Sequence, residues 1–296
     1  MNNTLINKRI LVTGQSGFIG TNLFRLWNNF TNLVPVSFTN IEIDKIPVSK
    51  GDVIIHLAGI AHQHKIAPEL YYEVNYKKAT AFAISAKEKG ASHFIFVSTT
   101  KVYGDNLQGI IKESSLCQPT DDYGKSKLLA EKEISQLQDE DFTVAILRPP
   151  LVYGAGVKGN MLKLLQLCAT GKPLPFIGVN NERSIVYVGN LMAMIEQIIA
   201  NKKGGVFIPS DDKPLSTFSM LQMMKELFGT KNLEIAVPSW MVKIVSMVSP
   251  ALSKKVFGSL VFDNTASRQT LGFTNPYTTR QGFEEMVLWF IKNNKY

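Results

Sequence analysis

The sequence predicts an α/β protein with a doubly wound parallel sheet, helices on both faces and a smaller, mixed α/β lobe. Short runs of apolar, β-branched residues alternate with amphipathic helical segments through the first half of the chain. A glycine-rich segment separates the first strand from the first helix, and the second half alternates less regularly. The 296 residues, of which 45% are hydrophobic, are enough to bury a large core.

The elements of the first half follow from the spacing of apolar residues and from the residues that flank each run. The predicted strands are Arg9–Thr13, Leu33–Phe38, Asp52–Leu57, His93–Ser98 and Phe142–Leu147. The predicted helices are Thr21–Phe30, Pro68–Gly90 and Tyr123–Gln138. Gly90 is a typical residue for the end of a helix, and the third helix is rich in good helix formers.

In the second half, two short strands accompany five helices. The strands are Ser184–Val188 and Gly205–Pro209. The helices are Asn160–Thr170, Asn190–Asn201, Thr217–Phe228, Ser239–Ser249 and Thr279–Asn293. We therefore predict a core of residues 1–153, to which residues 184–210 return, and a second lobe of residues 154–183 and 211–296.

The composition excludes several classes of protein. The 32 basic and 24 acidic residues give a net charge of +8, but the lysines are scattered and form no nucleic-acid-binding arm. No apolar run reaches the roughly 18–20 residues that span a bilayer, and the N-terminus lacks the features of a signal peptide. Cys117 and Cys168 do not have metal-ligand spacing, and His62 and His64 are interpreted as loop residues. We expect a cytoplasmic protein without a metal site.

Gly14, Gly17 and Gly20 stand between the first strand and the first helix. In that position Gly14 allows a tight turn, Gly17 a close approach to a pyrophosphate, and Gly20 close packing of helix on strand. The N-terminus of the helix offers free N–H groups and the positive end of its dipole to phosphates. The pattern predicts a dinucleotide-binding site.

Downstream motifs extend this pattern into a family resemblance. The glycine spacing is G-x-x-G-x-x-G, His56-Leu57-Ala58-Gly59 follows the third strand, and Tyr123 and Lys127 form a Y-x-x-x-K pair. With these motifs, and with segments 148–154 and 183–190, the chain resembles the extended short-chain dehydrogenases/reductases. It looks like a member of the NAD-dependent epimerase/dehydratase family, which acts on nucleotide sugars. The resemblance implies a Rossmann fold, a cofactor-binding core and a substrate-binding second lobe.

The resemblance also implies which residues bind the cofactor. They are Gly14, Gly17, Phe18, Ile19, Gly20, Phe38, Leu57, Ala58, Gly59, Ser98, Tyr123, Lys127 and Pro149. The second strand ends in residues 37–40 (SFTN), without the carboxylate that usually binds the adenosine ribose of NAD and without an arginine for a 2′-phosphate. NAD is the expected cofactor, with NADP as the alternative, and Phe38 either covers the adenine or belongs to the core.

Tyr123 and Lys127 lie four residues apart on a predicted helix and therefore share one face. A free tyrosine has a pKa of about 10. The positive charges of Lys127 and an oxidised nicotinamide favour the phenolate, so we expect Tyr123 to act as a base near neutral pH. The resemblance adds Thr99, whose hydroxyl would bond the reacting sugar oxygen, and Asn75 as a structural and proton-relay residue.

The residues after Thr99 narrow the reaction. The family's 4,6-dehydratases carry Asp-Glu there, whereas this chain has Thr100 and Lys101, which cannot perform the elimination. Chemistry at C4 remains, either as a 4-epimerase of a UDP-hexose or UDP-N-acetylhexosamine in a polysaccharide pathway or as a reductase of a UDP-4-keto-6-deoxy sugar. A non-catalytic dinucleotide-binding regulator is the alternative of another class.

A nucleotide sugar carries a diphosphate, which requires cationic and amide donors. The resemblance places Arg183 on the diphosphate and Asn160 on the nucleotide, and it suggests a UDP-sugar and a homodimer. Arg268, Thr100 and Lys101 are the further substrate-binding candidates.

Overall fold

The structure is a computed structural model, and it describes residues 5, 8–29, 32–37, 42–61, 66–105, 109–177, 179, 181–231, 233–236, 247 and 258–294. Phe38, His62 and His64 lie outside the described residues. The predicted helix Ser239–Ser249 lies outside them as well, apart from Met247.

The chain forms two compact units. The first contains Met1–Pro150, Leu191–Pro209 and Asp263–Thr274, and the second contains Leu151–Asn190, Ser210–Phe262 and Asn275–Tyr296. The strands are β1 (Ile10–Thr13), β2 (Leu33–Val36), β3 (Val53–His56), β4 (His93–Val97), β5 (Ile110–Ile111), β6 (Thr143–Leu147), β7 (Leu151–Tyr153), β8 (Leu174–Ile177), β9 (Ile185–Tyr187), β10 (Gly205–Phe207), β11 (Glu234–Ala236) and β12 (Val261–Phe262).

The helices are α1 (Phe18–Leu26), α2 (Pro68–Tyr71), α3 (Ala79–Glu88), α4 (Asp122–Ser135), α5 (Gly159–Ala169), α6 (Val188–Ala200), α7 (Thr217–Phe228), α8 (Thr265–Leu271) and α9 (Thr279–Asn293). A π-helical segment, Tyr72–Lys78, joins α2 to α3. Short 3₁₀ turns occur at Ile43–Lys45 and Thr100–Tyr103.

The first unit is built on a six-stranded sheet in the order β10-β6-β4-β3-β1-β2, and every neighbouring pair is parallel. All residues of β1, β3 and β4 are buried, as expected for strands with both faces covered. Pro35 lies in β2 at the edge of the sheet, where its missing N–H is tolerated. The predicted doubly wound parallel sheet is confirmed.

An apolar cluster lies between the sheet and the helices α3 and α4. Deep burial of these side chains fixes the register of the helices on the strands, because a slip would expose them to water. The cluster includes Leu11, Ile54, Phe94 and Ile146 from the sheet, Phe82 and Ala86 from α3, and Ala130 and Ile134 from α4.

The division into units differs from the predicted boundaries at three segments, of which the first is β7, residues 151–153, in the second unit. Residues 184–210 do not return to the main sheet as a whole, because β9 pairs with β7 in the second unit and β10 alone joins β6. Helix α8 belongs to the first unit, although the prediction placed it in the second lobe. It is held there by Ser267, whose hydroxyl accepts a hydrogen bond of 2.9 Å from the Ile208 N–H, and by Glu113, which accepts from the Ser267 N–H at 3.0 Å.

A buried carboxyl group organises the second unit. Asp211 accepts hydrogen bonds from the Tyr153 hydroxyl (2.7 Å), the Asn190 amide (2.8 Å) and the Tyr187 N–H (3.0 Å). A longer bond of 3.4 Å comes from the Thr279 hydroxyl at the start of α9. Asp211 is 4% exposed, and burial raises its pKa to about 6.

We expect Asp211 to make the free energy of unfolding depend on pH. A carboxyl group with a raised pKa in the folded chain stabilises the fold in its protonated form. That contribution is complete below about pH 4 and is lost as the pH rises through about 6. Between these limits the wild type should lose about 2 kcal/mol of unfolding free energy relative to Asp211→Asn. Urea unfolding at several pH values measures this difference, with Asp141→Asn at an exposed position of the first unit as the control. Identical pH slopes in the wild type and Asp211→Asn would contradict it.

Within the described part of the chain, no helix is long and apolar enough to cross a membrane. The same residues contain no group of three or more His, Cys, Asp or Glu side chains that could hold a metal ion.

Candidate active site

The carboxyl ends of β1, β3 and β4 meet at one edge of the sheet, which is where ligands bind in open α/β folds. Thr13 joins two of these strand ends. Its hydroxyl accepts a hydrogen bond of 3.1 Å from the Ala58 N–H and lies 3.1 Å from Nδ1 of His56. Burial, helped by the positive charge of Lys127, lowers the pKa of His56 to about 3, so its ring is neutral. This arrangement holds the loop after β1 against the loop after β3.

The loop between β1 and α1 forms a cradle in which two glycines have no room for a side chain. A Cβ on Gly14, whose φ is +73°, would lie 2.7 Å from the Ala58 nitrogen, and one on Gly20 would lie 2.3 Å from the Gly14 carbonyl oxygen. Gly17 precedes the first residue of α1, no side chain caps that helix end, and its first turn has no acidic residue. The N-terminus of α1 therefore fits the pyrophosphate of a dinucleotide.

Replacing Gly14 by alanine is expected to abolish dinucleotide binding, because the new Cβ clashes with backbone that cannot move away. Gly51→Ala is the matched control, since Gly51 also has a positive φ (+83°) but nothing within 4 Å of its added Cβ. The control should lose about 1 kcal/mol of stability through backbone strain and bind the cofactor normally. Quenching of tryptophan fluorescence by NADH measures the affinity. Equal affinities in the two variants would contradict the cradle.

Thr99 and Tyr123 come together at the end of β4. The Thr99 hydroxyl accepts a hydrogen bond of 3.2 Å from the Lys101 N–H and shares one with the Tyr123 hydroxyl. Tyr123 lies in the first turn of α4, which is capped by Asp121 through a 2.7 Å hydrogen bond from the Gly124 N–H. The predicted pair of hydroxyl groups thus converges on one point.

In the chain without cofactor, the pKa of Tyr123 lies above that of a free tyrosine. Burial raises its pKa to about 12, the charge of Asp121 acts in the same direction, and the hydrogen bond with Thr99 opposes the shift. In the chain by itself Tyr123 is therefore harder to ionise than a free tyrosine, because desolvation of the phenolate outweighs the favourable interactions. The prediction that Tyr123 acts as a base depended on Lys127 and on the positive charge of an oxidised nicotinamide, and the second charge is present only when the cofactor is bound.

Lys127 is 4% exposed and lies on the buried face of α4. Its ammonium donates a 3.1 Å hydrogen bond to the Val97 carbonyl and stands 4.5 Å from the centre of the Phe96 ring. Burial lowers its pKa to about 8, and the negative charge of Glu131 partly offsets this shift. The site therefore contains a buried cation suited to a polar ligand such as a ribose hydroxyl.

Asn75 joins this centre from the π-helical segment, which is a helix irregularity common at functional sites. It is fully buried, accepts a 2.7 Å hydrogen bond from the Ile60 N–H, and donates to the Ile60 carbonyl at 3.0 Å and the Ser126 hydroxyl at 3.3 Å. A Cβ on Gly59 would lie 2.9 Å from Oδ1 of Asn75 and 3.2 Å from Nζ of Lys127. Asn75, Gly59 and Lys127 are thus immediate neighbours.

The other predicted cofactor residues that the structure describes lie at the same edge of the sheet. Phe18 and Ile19 begin α1 and are half-buried, as are Leu57 and Ala58 after β3. The Ser98 hydroxyl, after β4, is buried and has no hydrogen-bond partner among the described residues. A buried polar atom without a partner is consistent with a ligand that supplies one.

The substrate candidates are divided between the two units. In the first unit, Thr100 is buried and its N–H donates to the Pro149 carbonyl at 3.2 Å, whereas Lys101 pairs with acidic side chains. Arg268 lies half-buried on α8 of the same unit. In the second unit, Asn160 is exposed in the first turn of α5, and the half-buried Arg183 donates to the Gly258 carbonyl at 3.1 Å.

Sequence reasoning missed a buried ion pair beside this site. Arg148 donates hydrogen bonds to Glu131 at 2.6, 3.1 and 3.2 Å and to the Tyr103 hydroxyl at 2.9 Å. Glu131 is 2% exposed and lies one helical turn after Lys127, so the pair fastens α4 to the end of β6. The sequence did contain one signal for this ion pair: Glu131 follows Lys127 by four residues and therefore lies on the same face of α4.

A glycine cradle at the first strand–helix junction and a buried Tyr-Lys pair at the same edge of the sheet define a dinucleotide-dependent enzyme of the short-chain dehydrogenase/reductase type. Residues 10–208 match the model of the NAD dependent epimerase/dehydratase family. The chain belongs to that family.

The curated relatives include a UDP-glucose 4-epimerase of Vibrio cholerae, which is 32% identical over 97% of both chains. The N-acetyl-alpha-D-glucosaminyl-diphospho-ditrans,octacis-undecaprenol 4-epimerase of Escherichia coli O157:H7 is 27% identical over 95% of both chains. Among solved structures, the UDP-glucuronic acid 4-epimerase from Bacillus cereus in complex with NAD has a TM-score of 0.76 at 19% identity, covering 97% of this chain and 99% of its own. A reductase of the same fold was solved in complex with NADP.

Proposed function

We propose that the protein is a UDP-sugar 4-epimerase that inverts C4 of a hexose or N-acetylhexosamine by oxidation and reduction. The observation that carries this proposal is the convergence of Thr99, Tyr123 and Lys127 at the strand edge that also bears the Gly14 cradle. The relatives from Vibrio cholerae and Escherichia coli, both 4-epimerases by name, support the same reaction.

In this proposal the residues of the chain position the sugar and move one proton. Thr99 donates a hydrogen bond to the C4 oxygen, and Tyr123 takes the C4 hydroxyl proton on oxidation and returns it on reduction. The bound nicotinamide supplies the chemistry of hydride acceptance from C4 and hydride return to the opposite face. Lys127 holds the ribose and stabilises the phenolate, and Asn75 holds the Ile60 backbone in place beside Lys127.

The residues after Thr99 support a reaction confined to C4. A 4,6-elimination needs an acid and a base near C5 and C6. Thr100 is buried against Pro149 and Lys101 is a cation held by two carboxylates, so neither can serve. Oxidation and reduction at C4 require no further acid or base.

The residues that bind the substrate are assigned from the chemistry of their side chains. Arg183 in the second unit is the proposed diphosphate ligand, because guanidinium groups bind phosphate oxygens in bidentate fashion, and Asn160 is the proposed nucleotide ligand. Arg268 is the additional cationic candidate in the first unit. We further propose a cytoplasmic homodimer that binds UDP-sugars and uses NAD.

The test is a turnover assay without added cofactor. Purified protein is incubated with UDP-glucose, UDP-galactose and their N-acetyl and uronic acid counterparts, and the C4 configuration is read by proton NMR. The nucleotide released by denaturation is identified in parallel. Interconversion with bound NAD is the expected result. Failure on every UDP-sugar by protein that retains NAD would refute the proposal, and the lipid-linked substrate of the Escherichia coli relative is then the next to assay.

The second candidate is a 4-ketoreductase. It is favoured by the sequence at residues 37–40 (SFTN), which lacks the carboxylate that selects NAD. Stoichiometric consumption of NADPH with a UDP-4-keto-6-deoxy sugar would identify it. A non-catalytic regulator is disfavoured, because Tyr123, Lys127 and Thr99 are all in place.

A further inference from the structure

Lys101 contacts both the Thr99 hydroxyl and the helix that bears Tyr123, which its position in the sequence does not predict. The 3₁₀ turn Thr100–Tyr103 begins directly after Thr99, and the Thr99 hydroxyl accepts the Lys101 N–H at 3.2 Å. The backbone of Lys101 also touches α4, since a Cβ on Gly124 would lie 2.8 Å from the Lys101 carbonyl oxygen.

The side chain of Lys101 makes a second connection to the same helix. Its ammonium bonds Asp105, which also accepts a 2.7 Å hydrogen bond from the Thr120 hydroxyl. The ammonium lies 3.7 Å from Oδ2 of Asp121, the residue whose other oxygen caps α4. One cation thus neutralises two carboxylates and links the segment after β4 to the start of α4.

The residues that this contact joins lie close in sequence to Thr99 and Tyr123. Lys101 lies two residues after Thr99, and Asp121 lies two residues before Tyr123. We propose that Lys101 is a positioning residue, which holds Thr99 and the first turn of α4 at the separation that lets both hydroxyl groups reach one sugar oxygen. The inference rests on the proposed C4 chemistry and deepens it.

Removal of the Lys101 ammonium would change the electrostatics at the start of α4. Both Asp105 and Asp121 would then lose the positive charge that each contacts, and like charges repel. Because Asp121 caps α4, the repulsion acts on the first turn that bears Tyr123. A misplacement of about 1 Å can lower the rate of reaction about a hundredfold. The pair is partly exposed, so its loss should affect the stability of the whole chain little.

The test compares Lys101→Met with Lys101→Arg and with Lys125→Met, which removes an exposed lysine from α4 itself. We expect kcat of Lys101→Met to fall about ten- to a hundredfold, with KM within about threefold and an unchanged urea midpoint. Lys101→Arg should retain most of the rate, and the double variant Lys101→Met/Asp105→Asn should recover part of it. Lys125→Met should resemble the wild type.

Amide hydrogen exchange supplies a readout that does not depend on turnover. Lys101→Met should speed exchange in the first turn of α4, including the Gly124 N–H, whereas Lys125→Met should not. If the wild type turns over no sugar, the proposed function is refuted, but the role of Lys101 is not. The hydrogen-exchange comparison still tests whether Lys101 holds the first turn of α4 in place. Normal kcat in Lys101→Met, normal exchange, or equal losses in the methionine and arginine variants would overturn the inference.

Discussion

The Tyr123→Phe variant is expected to lose turnover by about three orders of magnitude while binding dinucleotide within a few-fold of the wild type. Phenylalanine keeps the ring against Tyr71, whose centroid lies 6.2 Å away, and removes the hydroxyl that bonds Thr99. The loss should therefore appear in kcat, since the proton of the C4 hydroxyl then has no acceptor. Steady-state kinetics and NADH binding measure the two quantities separately.

The matched control is Tyr72→Phe, which removes a hydroxyl that bonds Asp122 at 3.0 Å and lies outside the proposed chemistry. It should retain near-normal kcat. Turnover by Tyr123→Phe at a comparable rate would end the assignment of Tyr123.

The Arg148→Met variant is expected to lose about 3–5 kcal/mol of unfolding free energy. It leaves the carboxylate of Glu131, which is 2% exposed, buried without its cation and removes the donor to the Tyr103 hydroxyl. Small domains are stable by only about 5–15 kcal/mol, so the loss would be a large share of the total. The midpoint of urea unfolding measures it.

The double variant Arg148→Met/Glu131→Leu distinguishes an unpaired charge from lost packing. Because both charges are then gone, most of the stability should return. A single variant as stable as the wild type would show that the Arg148–Glu131 pair contributes little to the fold.

The main sheet and the glycine cradle could be predicted from the sequence because each follows from local rules. Buried parallel strands read as continuous β-branched runs such as Ile10–Thr13, and a glycine triplet between strand and helix has few other uses. The Tyr123–Lys127 pair could also be predicted, since helical spacing alone places both side chains on one face.

Features that depend on tertiary packing could not be predicted. The π-helical segment around Asn75 satisfies the same residue preferences as an ordinary helix. Helix α8 joins the first unit through the Ser267 and Glu113 hydrogen bonds, which link residues 154 positions apart. The raised pKa of Tyr123 reflects burial, a property of the folded chain that a sequence motif does not contain.

The central claim is that C4 is oxidised and reduced within one active site, and a UDP-hexose deuterated at C4 tests it most directly. The sugar is incubated with the purified protein, and the deuterium content at C4 is measured by NMR and mass spectrometry in both epimers. The proposed mechanism predicts that both epimers retain the deuterium at C4, because the hydride that leaves C4 returns to it. Inversion of C4 with loss of deuterium to water, or recovery of the sugar unchanged from protein that holds NAD, would contradict the mechanism.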